Sequence, residues 1–407
     1  MHEKYYKELE EILRELKVQP QPKLVANVYK KDLQQNQQYL LLLKEKEELQ
    51  HKYNALQNEN IKLVNKLNDH INEVKDIVED ANRARKNEKR LRNEILDLKG
   101  NCRVYCRVKP FIDKQLQIEY SDKMINLQNK KFEVDRVFGT KTTQQQIFME
   151  MELFIENVLD GYKLCIFAYG QTGSGKTYTM EGNEDGLIFR SIKKLREILE
   201  GKKVFYTAKF IEIYNEELID LTTQQKIHLQ QETDGVAIKN VKEFKTDEIE
   251  NILSMMNTVS KNRKTAETQS NTKSSRSHFL FVIDVEQHLE GEIRKGSLCL
   301  IDLAGSERIK NSKVKDDRLK ETQNINKSLS VLGNVFTAIK QKSTHIPFRD
   351  SKLTHLMKNY LTGSFRTVML VNINPEYTEE SICSLRFGSK VSECVLGKIQ
   401  KDILYKE

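Results

Sequence analysis

The chain has 407 residues, a formal net charge of +8, 38% hydrophobic and 31% charged residues. That length allows two or three units with one large core, and the polar balance assigns part of the chain to solvated helix. No apolar stretch is long enough to cross a bilayer, Met1–Tyr6 do not begin a signal peptide, and the six cysteines form neither a C-x-x-C pair nor a His/Cys cluster; this argues against a membrane span, a disulfide framework and a zinc site. The expected protein is soluble and intracellular with reduced thiols, and its basic residues matter only where they share a face that would attract an acidic polymer, nucleic acid or protein filament.

In residues 1–23, Leu9, Ile12, Leu13 and Leu16 stand at helical spacing before Pro20 and Pro22, which predicts a short amphipathic helix and a Pro-bounded linker. From 33 to 99 a seven-residue period takes over. Leu42, Leu49, Leu56, Leu63, His70, Ile77, Ala84, Leu91 and Leu98 occupy position d, and Tyr39, Lys46, Tyr53, Asn60, Leu67, Val74, Ala81, Glu88 and Ile95 occupy position a. The spacing predicts a parallel coiled coil, with Asn60 and the pairs Asp80/Arg85 and Glu94/Lys99 fixing a dimer register. The dimer is either homotypic or heterotypic, and apolar Leu43, Val64, Ile71 and Val78 at position e leave a third helix open.

Gly100 ends the period, and Cys102–Val108 alternates as a strand stopped by Pro110. Strands and helices then alternate: strand Phe132–Phe138, helix Thr143–Leu159, strand Leu164–Tyr169, helix Lys176–Met180, helix Ile188–Leu199, strand Val204–Tyr214. This is an α/β pattern, a sheet with helices on its faces. It predicts a domain over 100–397, leaving 398–407 as a short tail.

Between that third strand and the helix at Lys176 runs Gly170-Gln171-Thr172-Gly173-Ser174-Gly175-Lys176-Thr177, which fits G-x-x-x-x-G-K-[ST]. Such a loop wraps a phosphate chain with backbone N–H groups, Lys176 reaching the outer phosphates and Thr177 offering its hydroxyl to Mg²⁺. Two further stretches complete the chemistry. Asn271–His278 supplies hydroxyls and the Arg276 guanidinium suited to a γ-phosphate and its metal, and Ser297–Glu307 delivers Asp302 to a strand end, where a carboxylate holds Mg²⁺ directly or through water. Gly305 is expected to offer its N–H to a terminal phosphate.

AYGQTGSGKTYTM, NTKSSRSH, IDLAGSE, INKSLSVLGNV and HIPFRDSKLT, in this order, resemble the motor domain of the kinesin family over about 101–397. The fold implied is the α/β P-loop NTPase kinesin motor domain, a central mixed sheet flanked by helices, preceded by a long α-helical coiled coil. A coil ahead of the motor and a short tail after it resemble the C-terminal-motor subfamily, class fourteen, which moves toward microtubule minus ends.

The resemblance implies ATP and Mg²⁺ as ligands and a microtubule-stimulated ATPase, with a cytoplasmic, cytoskeletal location that extends to the spindle. Arg107, Lys109 and Pro110 would border the adenine, with Tyr178 on its other side. Asn271 and Ser275 would face the γ-phosphate and attacking water, Ser275 also serving the metal beside Thr177 and Asp302, and Arg276 would pair with Glu307 to close the site. Microtubule (tubulin) contacts would come from Arg308, Lys310, Lys313, Lys315, Arg318, the helix near 324–332, Arg349 and Lys352. Neither nucleic acid nor membrane is expected as a partner.

Lys109 stands where the family usually has arginine, and Thr272 and Lys273 replace the usual residues after Asn271. A hydrolysis-dead partner subunit with the same fold is the alternative, opposed by Lys176, Thr177, Ser275, Arg276, Asp302 and Glu307 all being present. A GTP switch would need N-K-x-D, and Asn326-Lys327-Ser328-Leu329 lacks the aspartate.

Overall fold

The structure is a computed structural model describing residues 2–15, 22–98, 102–112, 118–233, 235–270, 274–307, 316–362, 365–396 and 401–405. It divides into two compact units, Met1–Leu91 and Arg92–Glu407. The first holds helix α1 (His2–Glu15) and most of helix α2 (Pro22–Leu98), a run of 77 residues. Proline suits the first helical position because its missing N–H has no intrahelical partner there, so α2 starts at Pro22, ahead of the expected 33. Leu42, Leu49, Leu56, Leu63 and Ile77 are all exposed, as expected for a heptad stripe seen in one strand of a coiled coil.

In the second unit the strands are β1 (Cys102–Val108), β2 (Ile118–Tyr120), β3 (Met124–Leu127), β4 (Lys130–Glu133), β5 (Arg136–Phe138), β6 (Lys163–Tyr169), β7 (Val204–Tyr214), β8 (Glu217–Asp220), β9 (Lys226–Glu232), β10 (Gly235–Lys239), β11 (Phe244–Thr246), β12 (His278–Leu289), β13 (Glu292–Asp302), β14 (Phe365–Ile373) and β15 (Ile403–Tyr405). The helices are α3 (Gln144–Val158), α4 (Lys176–Met180), α5 (Leu187–Leu199), α6 (Ile249–Ser270), α7 (Asp316–Lys340), α8 (Lys352–Leu361) and α9 (Thr378–Ser392).

Among the described residues, twelve strands form one mixed sheet in the order β10-β9-β8-β7-β12-β13-β6-β14-β1-β5, with β11 on β7 and β15 on β13. The central β13, β6, β14 and β1 run parallel, so their carboxyl ends lie in a row. Alternation along each central strand feeds two cores. Cys165, Phe167, Cys299, Ile301, Met369 and Val371 face α7, α8 and α9 through Phe336, Leu353 and Leu385. Leu164, Ile166, Leu298, Leu300, Val368 and Leu370 face α3, α5 and α6 through Ile147, Ile192 and Ile252.

The expected single strand Phe132–Phe138 is two. Its middle is diverted because Asp135 pairs with β1 off the ladder, its carboxylate accepting the Val104 N–H at 2.8 Å and its own N–H reaching the Val104 carbonyl at 2.9 Å. β4 therefore joins a separate three-stranded sheet with β2 and β3, while β5 pairs with β1. Helix α3 starts one residue after the expected Thr143 because Thr143 is its cap, in a reciprocal capping box with Gln146. At the end of α2, within the second unit, Leu96 is 3% exposed and Arg92 meets Glu156 of α3 at 3.3 Å, whereas Ile95 is 48% exposed.

The far end of α3 rests directly on the sheet at Gly296 of β13, where an added Cβ would stand 1.9 Å from the Val158 carbonyl oxygen. That atom is backbone and has no rotamer to escape into. Gly296→Ala should therefore destabilise the fold by roughly 1–3 kcal/mol or more, the range for overpacking, read from the urea midpoint; an unchanged midpoint would show that α3 shifts without cost.

Candidate functional site

The phosphate loop leaves the carboxyl end of β6 and enters α4, at the crevice where parallel α/β sheets bind ligands. An added Cβ on Gly170 would lie 2.1 Å from the Asn372 carbonyl oxygen of β14, and Gly173 and Gly175 sit at φ +76° and +97°, where L side chains are strained. The buried Lys176 ammonium donates to the loop's own Gln171 carbonyl at 2.9 Å. Ser174 Oγ is buried without a hydrogen-bond partner, a hydroxyl donor that a polyphosphate oxygen would satisfy.

Thr177 Oγ1 donates to Asp302 Oδ2 at 2.6 Å, while Asp302 Oδ1 is buried without a partner. One carboxylate, one hydroxyl and the oxygens of a nucleotide are the donor set Mg²⁺ takes in such sites, so the residues fit the metal. Burial lowers the Lys176 pKa, and the charges of Asp302 and Glu307 oppose this. Burial raises that of Asp302, against the pull of Arg263 and Lys176.

Two switch segments, 274–278 and 302–307, close on the loop in series: the second bonds the loop, and the first bonds the second. Gly305 N–H donates to the Ser275 carbonyl at 2.9 Å, and Ser306 N–H to the Gly170 carbonyl at 3.1 Å. Glu307 accepts from the Thr172 N–H and hydroxyl at 2.8 and 2.6 Å. Arg276 donates instead to Glu321 of α7 at 2.9 Å. The expected Arg276–Glu307 pair is thus absent from this state, because Glu307 is held by two donors of the phosphate loop and Arg276 by a carboxylate on α7. The Gly305 N–H, expected to face a phosphate, is likewise engaged by Ser275. Asn271, Thr272 and Lys273 lie outside the described residues.

On the base side, the Arg107 guanidinium carbon stands 5.0 Å from the Tyr178 ring centroid. A base between two planar groups needs two contacts of about 3.5 Å each, so the expected adenine slot between Arg107 and Tyr178 is closed. The free face is the other side of Tyr178, which is 55% exposed; Pro110 is exposed as well. Lys109 reaches the Gly173 carbonyl at 2.9 Å, tying the first strand to the phosphate loop.

Behind the site, Glu181 after α4 and Arg263 of α6 form an ion pair with side chains 4% and 6% exposed, Glu181 also accepting from Ser260 at 2.8 Å. Glu321, Glu181, Arg263 and Gln144 escaped the sequence reading because their partners are 45, 82 and 37 residues away with no motif linking them. Of the residues expected to meet the filament, Lys352 is exposed at the start of α8 and Arg349 in the turn before it. Burial and then the charges of Arg349, Lys352 and Lys358 hold the nearby His355 below its ordinary pKa, which marks a local positive field. Arg308, Lys310, Lys313 and Lys315 lie outside the described residues, as does the Arg318 side chain; the backbone there belongs to α7.

His278 joins both switches to α7. Its Nδ1 accepts the Ala304 N–H at 3.0 Å, so the proton sits on Nε2, which meets Ser328 Oγ at 2.9 Å. Burial and then the Lys176 charge lower its pKa from 6.5 to about 3. Between those values the unfolded chain binds a proton that the folded one refuses, so stability is lost as pH drops, by about 1.4 kcal/mol per unit. On going from about pH 7.5 to about pH 5, wild type should lose about 2 kcal/mol more than His278→Asn in urea unfolding; equal losses would mean that His278 titrates normally.

Residues 83–394 match the family model described as the kinesin motor domain. Kinesin-like protein KIN-14N of Oryza sativa subsp. japonica is 42% identical over 345 residues, covering 76% of this chain and 45% of that protein. Kinesin-like protein KIN-14Q of Arabidopsis thaliana is 39% identical over 351 residues, covering 78% and 29%. The chain spans less than half the length of these relatives. Among solved structures, the C-terminal motor and motor homology domain of Kar3Vik1, fused to a synthetic heterodimeric coiled coil, gives a TM-score of 0.71 at 37% identity, covering 84% of this chain and 98% of that one. The motor domain of Kar3 from Saccharomyces cerevisiae gives 0.63 at 39% identity, covering 72% and 99%. With the phosphate loop, both switch segments and the flanking sheet matched together, the chain belongs to the kinesin motor family, among relatives of the KIN-14 and Kar3 type.

Proposed function

We propose that the chain is an ATP-hydrolysing, minus-end-directed microtubule motor that converts γ-phosphate sensing into movement of α2. The observation that carries this reading is a chain of bonds running outward from the phosphate loop: Thr172 to Glu307 and Thr177 to Asp302 tie the second switch segment to the loop, and Gly305 to Ser275 ties the first switch segment to the second. A γ-phosphate in the loop competes for these same donors. Mg²⁺, held by Thr177, Ser275 and Asp302, would neutralise charge on the outer phosphates.

Lys176 exchanges the Gln171 carbonyl for phosphate oxygens, a stronger charge-assisted bond. Glu307 then leaves Thr172, and Arg276 leaves Glu321 to meet it, enclosing the attacking water with Asn271 and Ser275. No strong base is required, because phosphoryl transfer is catalysed mainly by positioning and charge stabilisation. Release of Glu321 frees α7, and α7 with Arg349 and Lys352 is the face assigned to the acidic filament, an attachment that salt would weaken.

The dimer is formed by α2, in line with the heterodimeric coiled coil named for the Kar3Vik1 structure. Cytoskeletal association follows from filament binding. The direction of travel rests on the likeness to C-terminal-motor kinesins, and the contact that would pass force is the buried Leu96 in the last turn of α2.

Steady-state ATPase assays with and without microtubules test the reading. Lys176→Ala should lower kcat/KM about a hundredfold or more, and Glu307→Ala should keep ATP binding but lose acceleration by microtubules. Wild-type turnover in the Lys176 variant would sink the assignment. In a gliding assay on polarity-marked microtubules, wild type should move toward the minus end, and Leu96→Ala should keep stimulated turnover while slowing movement severalfold; full-speed gliding would remove Leu96 from the force path.

A further inference from the structure

We infer that Gln144 is a positioning residue for the purine base: it fixes the Arg107 guanidinium beneath Tyr178 and so presents the outer face of that ring for stacking. The inference deepens the ATPase reading and rests on it.

Gln144 is the first residue of α3 and is 6% exposed. Its Oε1 accepts from Arg107 Nη1 at 2.9 Å, and its Nε2 donates to the Tyr178 carbonyl. The orientation of the amide is fixed by chemistry, since guanidinium only donates and a carbonyl only accepts. One side chain thus holds both members of the stacked pair, the guanidinium and the backbone of the ring above it.

The same Arg107 Nη1 donates to Thr179 Oγ1 at 2.9 Å. That hydroxyl donates to the Gly175 carbonyl of the phosphate loop at 2.8 Å and accepts from Asn372 Nδ2 at 2.8 Å. Arg107, Thr179 and Asn372 are all buried. Space for the Gln144 amide is kept by Gly182, at φ +54°, where a Cβ would come within 2.5 Å of Nε2.

With the gap between Arg107 and Tyr178 too narrow for a base, the guanidinium works as a backing plate. It polarises and immobilises the ring through a cation–π contact. A ring held in one orientation costs a stacking ligand less entropy than one that must be ordered on binding. Gln144 therefore acts chiefly on the base, because its bonds reach the phosphate loop only through Arg107, Thr179 and the Tyr178 carbonyl of α4, and none of them engages Lys176 or an N–H of the loop.

The test measures, on the full chain, KM for ATP and the inhibition constant of tripolyphosphate, which has phosphates and no base. Wild-type turnover, measured first, tests the ATPase reading; the variant-to-wild-type ratios test Gln144. Gln144→Leu should raise KM about tenfold with a smaller change in kcat, and tripolyphosphate inhibition should change less than twofold. Gln144→Glu, which keeps an acceptor for Arg107, should fall between Leu and wild type. In a Tyr178→Ala background either substitution should add little, because the ring it supports is gone. A wild-type KM in Gln144→Leu, an equal weakening of tripolyphosphate, or full additivity with Tyr178→Ala would each overturn the inference. Should the Leu variant fail to fold, Gln144→Glu with and without Tyr178→Ala decides by the same ratios.

Discussion

The parallel pairing of β13, β6, β14 and β1 is the constraint on which the site depends. It sets Asp302 level with Ala168, just before the loop, and brings Asn372 and Arg107 to neighbouring strand ends. Burial at those ends leaves the charged groups dependent on one another. Lys176 and Asp302 are each pushed toward neutrality by desolvation and each held charged in part by the other. Groups so placed gain from a ligand that brings both anionic oxygens and a cation, which is the physical reason a nucleotide with its metal suits this crevice.

How much of this was legible in the sequence follows from how local the cause was. The phosphate loop was readable because its glycines, lysine and threonine act within eight consecutive residues, and the structure puts left-handed glycines at 173 and 175. The heptads of α2 and the strands at 102–108 and 204–214 were readable from periodicity alone. The division of the 132–138 strand was not, because it depends on Asp135 meeting Val104 across 31 residues. The fully buried β14 has a weaker signal, since Arg366 and Asn372 bound its apolar run to four residues after Thr367.

Residues assigned by family resemblance gather at one crevice, and several of them have partners other than the expected ones. Arg276 and Glu307 are both at the crevice, yet each has a different partner, Glu321 and Thr172. Arg107, expected to border the adenine, stands against the Tyr178 ring instead. A motif specifies which groups a catalytic cycle needs. Which of them touch at a given moment depends on distant elements such as α7, and motifs do not record those.

The buried pair of Glu181 and Arg263 gives the phosphate loop a mechanical property. It bolts the turn after α4 to α6, and breaking it would strand a charge in the interior at a cost of roughly 3–5 kcal/mol. That exceeds what thermal agitation supplies, so α4 and α6 travel as one block. The helix that follows the phosphate loop and the helix that runs toward the Ser275 segment are therefore coupled, and a displacement of one is passed to the other through this pair.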